Sequence, residues 1–166
     1  MTIPSDPSEL QALIEELQTQ QARLQFRRFT NDDALDLGSR IVAVARERGL
    51  VVTVDIRRHG HQLFHAALPG TTPDNDSWIE RKVRVVNRFN ESSYLVGRRL
   101  ALAGRSVDTA NGLDPLLHAA HGGSFPIIVR DVGVVGTVTV SGLPQAEDHA
   151  LVVESLAVFL GIEPVG

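Results

Sequence analysis

The histidines of this chain are the side chains best suited to bind a metal or to move a proton near neutral pH. They fall in three groups, which are His59, His61 and His65; His118 and His121; and His149. No spacing typical of a metal site, such as HExxH, occurs, so we predict no metal centre and expect structural or surface roles for most of them. Haem iron requires only one histidine as an axial ligand, which is fewer ligands than a metal site built by the protein alone requires. The candidates for this role are His118, His121 and His65.

A lysine inside an apolar helical face is the second chemical feature. At about a hundred degrees per residue, the stretch from Asp76 to Asn90 forms one broad apolar face. This face contains Trp78, Ile79, Val83, Val85, Val86 and Phe89. Lys82 falls in its middle, and two interpretations are open. Either the stem packs and the ammonium snorkels to the surface, or the ammonium meets an anion at a pocket.

Arginines line the opposite side of the same predicted helix, at Arg81, Arg84 and Arg88. This stripe is typical of a solvated face or of a strip of salt bridges between subunits. Arg81 adjoins Lys82, so it is a second candidate for contact with an anionic ligand.

Glycine and threonine positions near residue 120 to 140 offer a further candidate surface. Gly122 and Gly123 precede a predicted strand rather than a helix, so they do not form a phosphate loop. A close backbone approach or a positive φ is the expected reason for them. Alternation from residue 137 to 140 places Thr137 and Thr139 on one face of a strand. That pattern is ordinary in strands, but a threonine face lining a cavity would offer hydrogen bonds to a polar ligand.

Composition excludes several classes of function. The chain has no cysteine, which removes thiolate nucleophiles, disulfides and cysteine-ligated metals. A net charge of −4 argues against general nucleic-acid binding. No serine lies in a GxSxG elbow and no carboxylate pair has diagnostic spacing, so we assign no catalytic residue. The opening residues do not resemble a signal peptide and no stretch has the length of a membrane span, so we expect a cytoplasmic protein.

Periodicity and turn signals predict the element order. The predicted elements are a helix starting at Pro7, a short strand at 24–29, a helix capped by Asn31 and ending at Gly49, strands at 50–56 and 61–68, a helical region at 76–103 with a bend near 90–93, strands at 124–130 and 134–140, and a last helix from about Pro144 to Gly161. Hairpin pairs favour an antiparallel sheet with helices packed on it. We therefore expect an α/β fold of the α+β type. It forms one domain over 1–166, with a helix and short strand at 1–29 and the core at 30–160.

The last predicted helix is apolar almost all round, which is typical of a helix that is covered on both sides. In a domain of this size, a second subunit is the expected cover. We therefore predict a homo-oligomer, a dimer or larger.

In these residues and their spacing, the chain resembles the UPF0303 family. This family is a branch of the haem-degrading-domain group, with GlcG-like, HbpS-like and PduO C-terminal-like members. The resemblance rests on residues 49–97 and 119–149 and covers most of 30–160. Trp78, the pair Arg81-Lys82, the run Ser92-Ser93-Tyr94 and the motif HGGSFPI are typical of UPF0303, whereas GTVTVSG and the helix after it are shared more widely.

The resemblance implies a profilin-like sandwich, an antiparallel sheet flanked by helices, assembled into dimers or rings. It also implies tetrapyrrole binding, so we predict an oligomeric protein that binds a small anionic molecule, with haem as the candidate cofactor. The candidate ligand-binding residues are Trp78, Arg81, Lys82, Tyr94, His118, His121, Gly122, Gly123, Thr137 and Thr139. The alternative is a non-catalytic scaffold that binds other proteins through its glutamine-rich first helix and apolar last helix.

Overall fold

The computed structural model describes residues 2–110 and 112–163. In chain order the elements are α1 (Pro7–Arg23), α2 (Asn31–Glu47), β1 (Thr53–Arg58), β2 (His61–Ala67), α3 (Pro73–Phe89), α4 (Ser93–Leu102), a short 3₁₀ helix (Val107–Thr109), β3 (Ser124–Val129), β4 (Gly133–Ser141) and α5 (Gln145–Leu160). Among the described residues, no helix is both long and apolar enough to cross a bilayer.

The four strands form one antiparallel sheet in the order β2-β1-β4-β3. Two hairpins, β1–β2 and β3–β4, are joined through the central pair β1 and β4. The left-handed residues His59 and Gly60 make the first turn, and Asp131 and Gly133 make the second. The expected α+β fold, an antiparallel sheet flanked by helices as in a profilin-like sandwich, is confirmed.

One face of the sheet is apolar and carries the main core. Alternation along the strands directs Val54, Ile56, Phe125, Val138 and Val140 to this face. They pack against α2 and α5 in a single buried cluster. Burial of these side chains is the main source of the fold's stability.

The opposite face of the sheet is polar, although it too is buried. Thr53, Asp55, Ser124, Thr139 and Ser141 are all at most 3% exposed. Helices α3 and α4 cover this face. Polar groups in such a place need hydrogen-bond partners, so this layer fixes geometry rather than supplying hydrophobic stability.

Several predicted boundaries were wrong. The segment 24–29 is not a strand, because only Phe26 forms a bridge, to Val129, at the edge of β3. Thr30, not Asn31, caps α2, since it forms a reciprocal capping box with Asp33. The helical region predicted to start at residue 76 begins at Pro73, whereas the bend predicted near 90–93 is confirmed as a break between α3 and α4, where Asn90 adopts a left-handed φ of 56°.

The expected start of β1 was also wrong. The residues after Gly49 first complete the end of α2, where the amide of Leu50 donates to the carbonyl of Ala45. The strand therefore begins at Thr53 rather than at Leu50.

Helix α5 is covered largely by its own chain, which corrects the argument for oligomerisation from its apolar sequence. Helices α2 and α4 and strands β3 and β4 all contact it. Val158, which is 55% exposed, is the largest apolar exception. Helix α1 packs on α4 within the chain, so its apolar side is not free either.

Gly38 tests how tightly α2 packs on the sheet. A Cβ at this position would lie 2.4 Å from ring atoms of Phe64 in β2. Overpacking costs about 1–3 kcal/mol, while alanine gains about 1 kcal/mol of helix propensity over glycine. We therefore expect Gly38→Ala to lower the free energy of unfolding, by up to about 2 kcal/mol, in urea denaturation.

The control is the same substitution beside a shortened neighbour. In a Phe64→Leu background the clash is relieved, and Gly38→Ala should be neutral or stabilising. An equal loss of stability in both backgrounds would show that the ring contact is not the cause.

Candidate functional site

Trp78 and His121 form one wall of a pocket at the end of the sheet. Their ring centroids lie 5.3 Å apart, with the planes inclined at 47°. Trp78 comes from α3, while His121 lies on the segment leading into β3. This cavity, of about 290 Å³, is called the Trp78 pocket below and is lined by Asp74, Trp78, Lys82, His121, Gly142 and Asp148 among others.

A buried ion pair forms the inner side of the Trp78 pocket. The Lys82 Nζ lies 3.0 Å from Oδ2 of Asp148 and donates to the carbonyl of Val140 at 3.2 Å. Asp148 also accepts from the backbone amides of Leu143, at 2.9 Å, and Gly142, at 3.4 Å. The pair thus links α3, the end of β4, the following turn and α5.

The environment of Lys82 corrects the snorkelling interpretation. Lys82 is only 3% exposed, so its head does not reach the surface. The anion it meets is the chain's own Asp148. Burial lowers the pKa of Lys82 and raises the pKa of Asp148, while the attraction between them opposes both shifts. Lys82 therefore positions the pocket rather than standing free to bind a ligand.

Gly122 and Gly123 are required by close contacts, as the sequence predicted. A Cβ on Gly122 would lie 2.1 Å from the carbonyl oxygen of Gln145. Gly123 has a φ of +137°, and its Cβ would lie 2.6 Å from the Lys82 Nζ. These glycines let the chain pass close to the ion pair, and they place His121 at the pocket mouth.

A second cavity, of about 300 Å³, shares His121 with the Trp78 pocket. It is called the basic cleft here and is lined by Arg81, Arg98, Arg105, Asp108, His118 and His121, with neighbouring residues. Three guanidinium groups face a single carboxylate, that of Asp108. The cleft therefore has an excess of positive charge and suits an anionic group.

Two guanidinium groups of the basic cleft are incompletely paired. The Nε atoms of Arg81 and Arg98 are buried and have no hydrogen-bond partner among the described residues. The Arg81 guanidinium lies 4.6 Å from the Trp78 ring centroid, and that of Arg98 lies 5.3 Å from the centroid of Tyr94. Burial lowers the pKa of Arg98 from its usual high value.

The arginine stripe of α3 binds a loop of the same chain. Arg81, Arg84 and Arg88 donate to the carbonyl oxygens of Pro115, Leu117 and Gly112 at 3.0, 3.3 and 2.6 Å. The stripe is therefore neither purely solvated nor devoted to another subunit. It holds the loop that carries His118, whose Nδ1 lies 3.0 Å from the carbonyl oxygen of Asp114.

His121 has an electrostatic environment that favours its neutral form. Partial loss of hydration lowers the pKa of this imidazole, and the positive charges of Lys82, Arg98 and Arg81 lower it further. A neutral imidazole keeps one nitrogen lone pair, which is the form that can bind a metal ion.

Three of the predicted site residues do not line the Trp78 pocket or the basic cleft. Thr139 is buried and its hydroxyl pairs with Ser124 Oγ at 2.9 Å. Thr137 borders a separate cavity near the β1–β2 turn, with its hydroxyl unpartnered among the described residues. Tyr94 lines a third cavity, between α1 and α5. The structure thus brings Trp78, Lys82 and His121 together with the glycine pair, and joins Arg81 and His118 to them through the basic cleft.

The third cavity, called the helix pocket below, has a volume of about 320 Å³. Its lining includes Leu13, Leu17, Tyr94, His149, Ala150 and Val153. His149 is buried in its wall, and burial lowers the pKa of His149 to about 3. From the sequence, His149 stood apart from the other histidines and had no predicted role of its own.

A polar cluster beneath α3 was also missed. The buried carboxylate of Asp55 accepts hydrogen bonds from Arg57 at 2.7 Å and Gln62 at 2.6 Å, and lies 3.1 Å from His65 Nδ1. His65 Nε2 lies 3.2 Å from Asp76 in α3. Alternation along β1 and β2 could have predicted that His65 lies opposite Asp55. It could not have predicted that α3 covers them.

Over the described residues, no group of three or more histidine, aspartate or glutamate side chains is arranged to hold a metal ion.

Comparison with known proteins identifies the family. Residues 29–157 match the model of the family described as haem degrading protein HbpS-like. A UPF0303 protein of Streptomyces coelicolor is 58% identical over 160 residues, covering 96% of this chain and 98% of that protein. The chain belongs to the UPF0303 family, within the HbpS-like group.

Solved structures share the fold. The crystal structure of the Ybr137w protein has a TM-score of 0.82 and 33% identity, covering 97% of this chain and 98% of that one. The structure described as a PduOC:heme complex has a TM-score of 0.64 at 17% identity, covering 78% of this chain and 93% of that one. The second similarity establishes a common fold.

The buried ion pair should make Lys82 indispensable for stability. Lys82→Met removes the cation and leaves Asp148 buried without its partner. The loss of one partner of a buried pair costs about 3–5 kcal/mol. We expect the urea midpoint to fall by a corresponding amount, measured by circular dichroism at neutral pH.

The double variant Lys82→Met with Asp148→Leu separates pairing from packing. Because it removes both charges, it should recover part of the lost stability. If the double variant is as unstable as the sum of the two single variants, the two side chains are not coupled.

His149 should make folding sensitive to acid. Its folded pKa is about 3, whereas an unperturbed histidine has a pKa of about 6.5. Below about pH 6.5 the unfolded chain binds a proton here that the folded chain does not, so stability falls as the pH is lowered, by up to about 1.4 kcal/mol per pH unit. Above that pH the contribution is constant.

Urea unfolding of the protein and of His149→Leu between pH 4 and 8 measures this effect. The leucine variant should lack the part of the pH dependence that arises from His149, while the remaining groups titrate as before. Parallel stability curves for the two proteins would contradict the assignment.

Proposed function

We propose that the protein binds a small anionic molecule with a large apolar part, and that haem or a related tetrapyrrole is this ligand. The anionic groups lie in the basic cleft, and the apolar part lies against Trp78 and His121. The two cavities that share His121, together with the family, support this proposal.

The observation that carries the proposal is the unused hydrogen-bonding capacity of the basic cleft. Buried donors are normally paired, yet Arg81 and Arg98 each keep a buried Nε without a partner among the described residues. Arg105 adds a third cation, against Asp108 alone. A carboxylate or phosphate that enters the cleft would pair with these donors by charge-assisted hydrogen bonds.

The residue types that line the two cavities are suited to binding haem. His121 is exposed and its imidazole favours the neutral form, so it is the first candidate for an axial ligand. Trp78 offers an aromatic surface, and Arg81 and Arg98 suit propionate groups. His118 is the second candidate, although its Nδ1 is occupied by the backbone of Asp114. Bound haem would supply redox chemistry at its iron, while the chain's residues bind and orient it.

The comparisons support the choice of a tetrapyrrole. The matching family is described as haem degrading and HbpS-like, and the PduOC neighbour was solved as a haem complex. Each cavity alone is at the lower end of the range of about 300–1,000 Å³ for ligand pockets. A macrocycle would therefore occupy the mouth of both cavities rather than either one alone.

Titration with ferric haem, followed by absorbance, tests the function. The protein should give a saturable Soret shift at a fixed stoichiometry, and His121→Ala should abolish the shift that arises from axial ligation. Arg98→Gln should weaken binding by about tenfold or more, since a hydrogen bond to a charged group contributes about 1.5–3 kcal/mol.

Iron-free protoporphyrin separates ligation from macrocycle binding. It should bind His121→Ala and the unaltered protein with similar affinity, and Arg98→Gln more weakly. His61→Ala, on the exposed part of the β1–β2 hairpin, is the matched control and should change nothing. A shallow haem titration that none of these substitutions affects would overturn haem as the ligand.

We also propose that the protein forms a homo-oligomer through the loop that follows the 3₁₀ helix. Leu116 is 82% exposed and Leu117 46%, and Phe89 at the end of α3 is exposed as well. Exposed apolar residues that are adjacent in the chain are typical of an interaction surface. This surface also serves the alternative function, a scaffold that binds other proteins.

Sedimentation velocity tests the proposed oligomer. Leu116→Asp with Leu117→Asp should shift the protein to a smaller species without loss of helix content. Val132→Asp is the control. Val132 lies at the β3–β4 turn and is 71% exposed, so this variant also places a charge at an exposed apolar position. An unaltered protein that sediments as a monomer would contradict the proposal.

A further inference from the structure

We infer that the helix pocket between α1 and α5 is a second binding site, for a small uncharged molecule that is mostly apolar and carries one hydroxyl group. The site shares no lining residue with the Trp78 pocket or the basic cleft. It is therefore independent of the proposed function.

A chain of hydrogen bonds fixes the tautomer of His149. The side-chain amide of Gln20 donates from Nε2 to the Glu16 carboxylate at 3.3 Å. An ionised carboxylate only accepts, so the amide oxygen of Gln20 must face His149, where it lies 2.8 Å from Nε2. That nitrogen therefore carries the proton, and Nδ1 is left as an acceptor.

Nδ1 of His149 has no hydrogen-bond partner in the described part of the chain, although it is buried. The residue is 4% exposed, and its ring packs near the rings of Tyr94 and Phe125, with centroids 5.0 and 6.0 Å away. An unpaired buried acceptor costs stability. A ligand in the pocket whose donor reaches Nδ1 would remove this cost.

The remaining lining defines the rest of the ligand. Leu13, Leu17, Ala150 and Val153 provide apolar surface, and the cavity of about 320 Å³ admits a molecule the size of a bicyclic aromatic. The imidazole is neutral at physiological pH, because burial lowers its pKa to about 3. The wall therefore offers no positive charge at this point to attract an anion.

Three of the four charged groups at the rim are already engaged. Arg23 donates to the carbonyl of Glu163 at 3.1 Å, and Glu154 accepts from Arg48. Glu16 holds Gln20. With Glu163, the rim carries three carboxylates and one guanidinium, so it does not favour an anionic ligand. A phenol, naphthol or similar neutral alcohol meets the requirements.

The test compares 2-naphthol with 2-methylnaphthalene, which has nearly the same shape but no donor. Ligand-observed NMR and calorimetry should show saturable binding of 2-naphthol, favoured by about tenfold over the methyl compound, as one hydrogen bond predicts. The ¹⁵N signal of His149 Nδ1 should shift with 2-naphthol and not with 2-methylnaphthalene. This spectroscopic readout uses the unaltered protein and does not depend on how a variant folds.

Variants locate the site. His149→Leu should bind both compounds equally, and Ala150→Trp should fill the cavity and abolish binding of both. His121→Ala should leave 2-naphthol binding unchanged, which separates this site from the proposed haem site. The proposal is overturned if neither compound binds, if the protein does not discriminate between them, if Ala150→Trp still binds 2-naphthol, or if the NMR spectrum shows a proton on Nδ1.

Discussion

The buried pair of Lys82 and Asp148 is the interaction on which the arrangement of the site depends. It connects α3 to α5 through the end of β4, and Asp148 also fixes the turn at residues 142 and 143. Removing charges from water is expensive, so the pair is stable only because each group has further hydrogen bonds. The ion pair also requires a glycine at position 123, because any side chain on Gly123 would collide with the Lys82 ammonium. The position of His121 follows, since it directly precedes the glycine pair.

The two faces of the sheet have different roles: the apolar face stabilises the fold, and the polar face fixes the geometry. The apolar face buries valine, isoleucine and phenylalanine against α2 and α5, and this layer drives folding. The polar face supplies few apolar contacts, but several of its groups have fixed partners, as Asp55 does with Arg57, Gln62 and His65. Satisfied polar networks in a region of low dielectric constant are rigid. The Trp78 pocket and the basic cleft border the helices that cover this polar layer, so their walls are held by directional bonds as well as by packing.

Much of the fold could be predicted from local patterns, whereas the site could be predicted only in part. Periodicity and turn residues identified the helical regions and the two hairpins, because these features depend on neighbours in sequence. Lys82 was recognised as anomalous, but its partner lies 66 residues away and has no local signal. Tyr94 and Thr137 were grouped with Trp78 by family motif and strand alternation. Neither pattern specifies which helix covers a given face, and the structure places these residues beside other cavities.

His121 and His149 have lowered pKa values for different reasons, and this difference separates the ligands that their cavities can accept. At His121 the cations of Lys82, Arg98 and Arg81 contribute to the shift, so the field that disfavours protonation also attracts an anion. At His149 burial alone is responsible, and the rim of the helix pocket carries more carboxylates than cations. An anion would lose its hydration on entering the helix pocket and would meet this excess of negative charge. A neutral donor loses less and gains the hydrogen bond to Nδ1. The same residue type therefore marks an anion site in one cavity and a site for neutral molecules in the other.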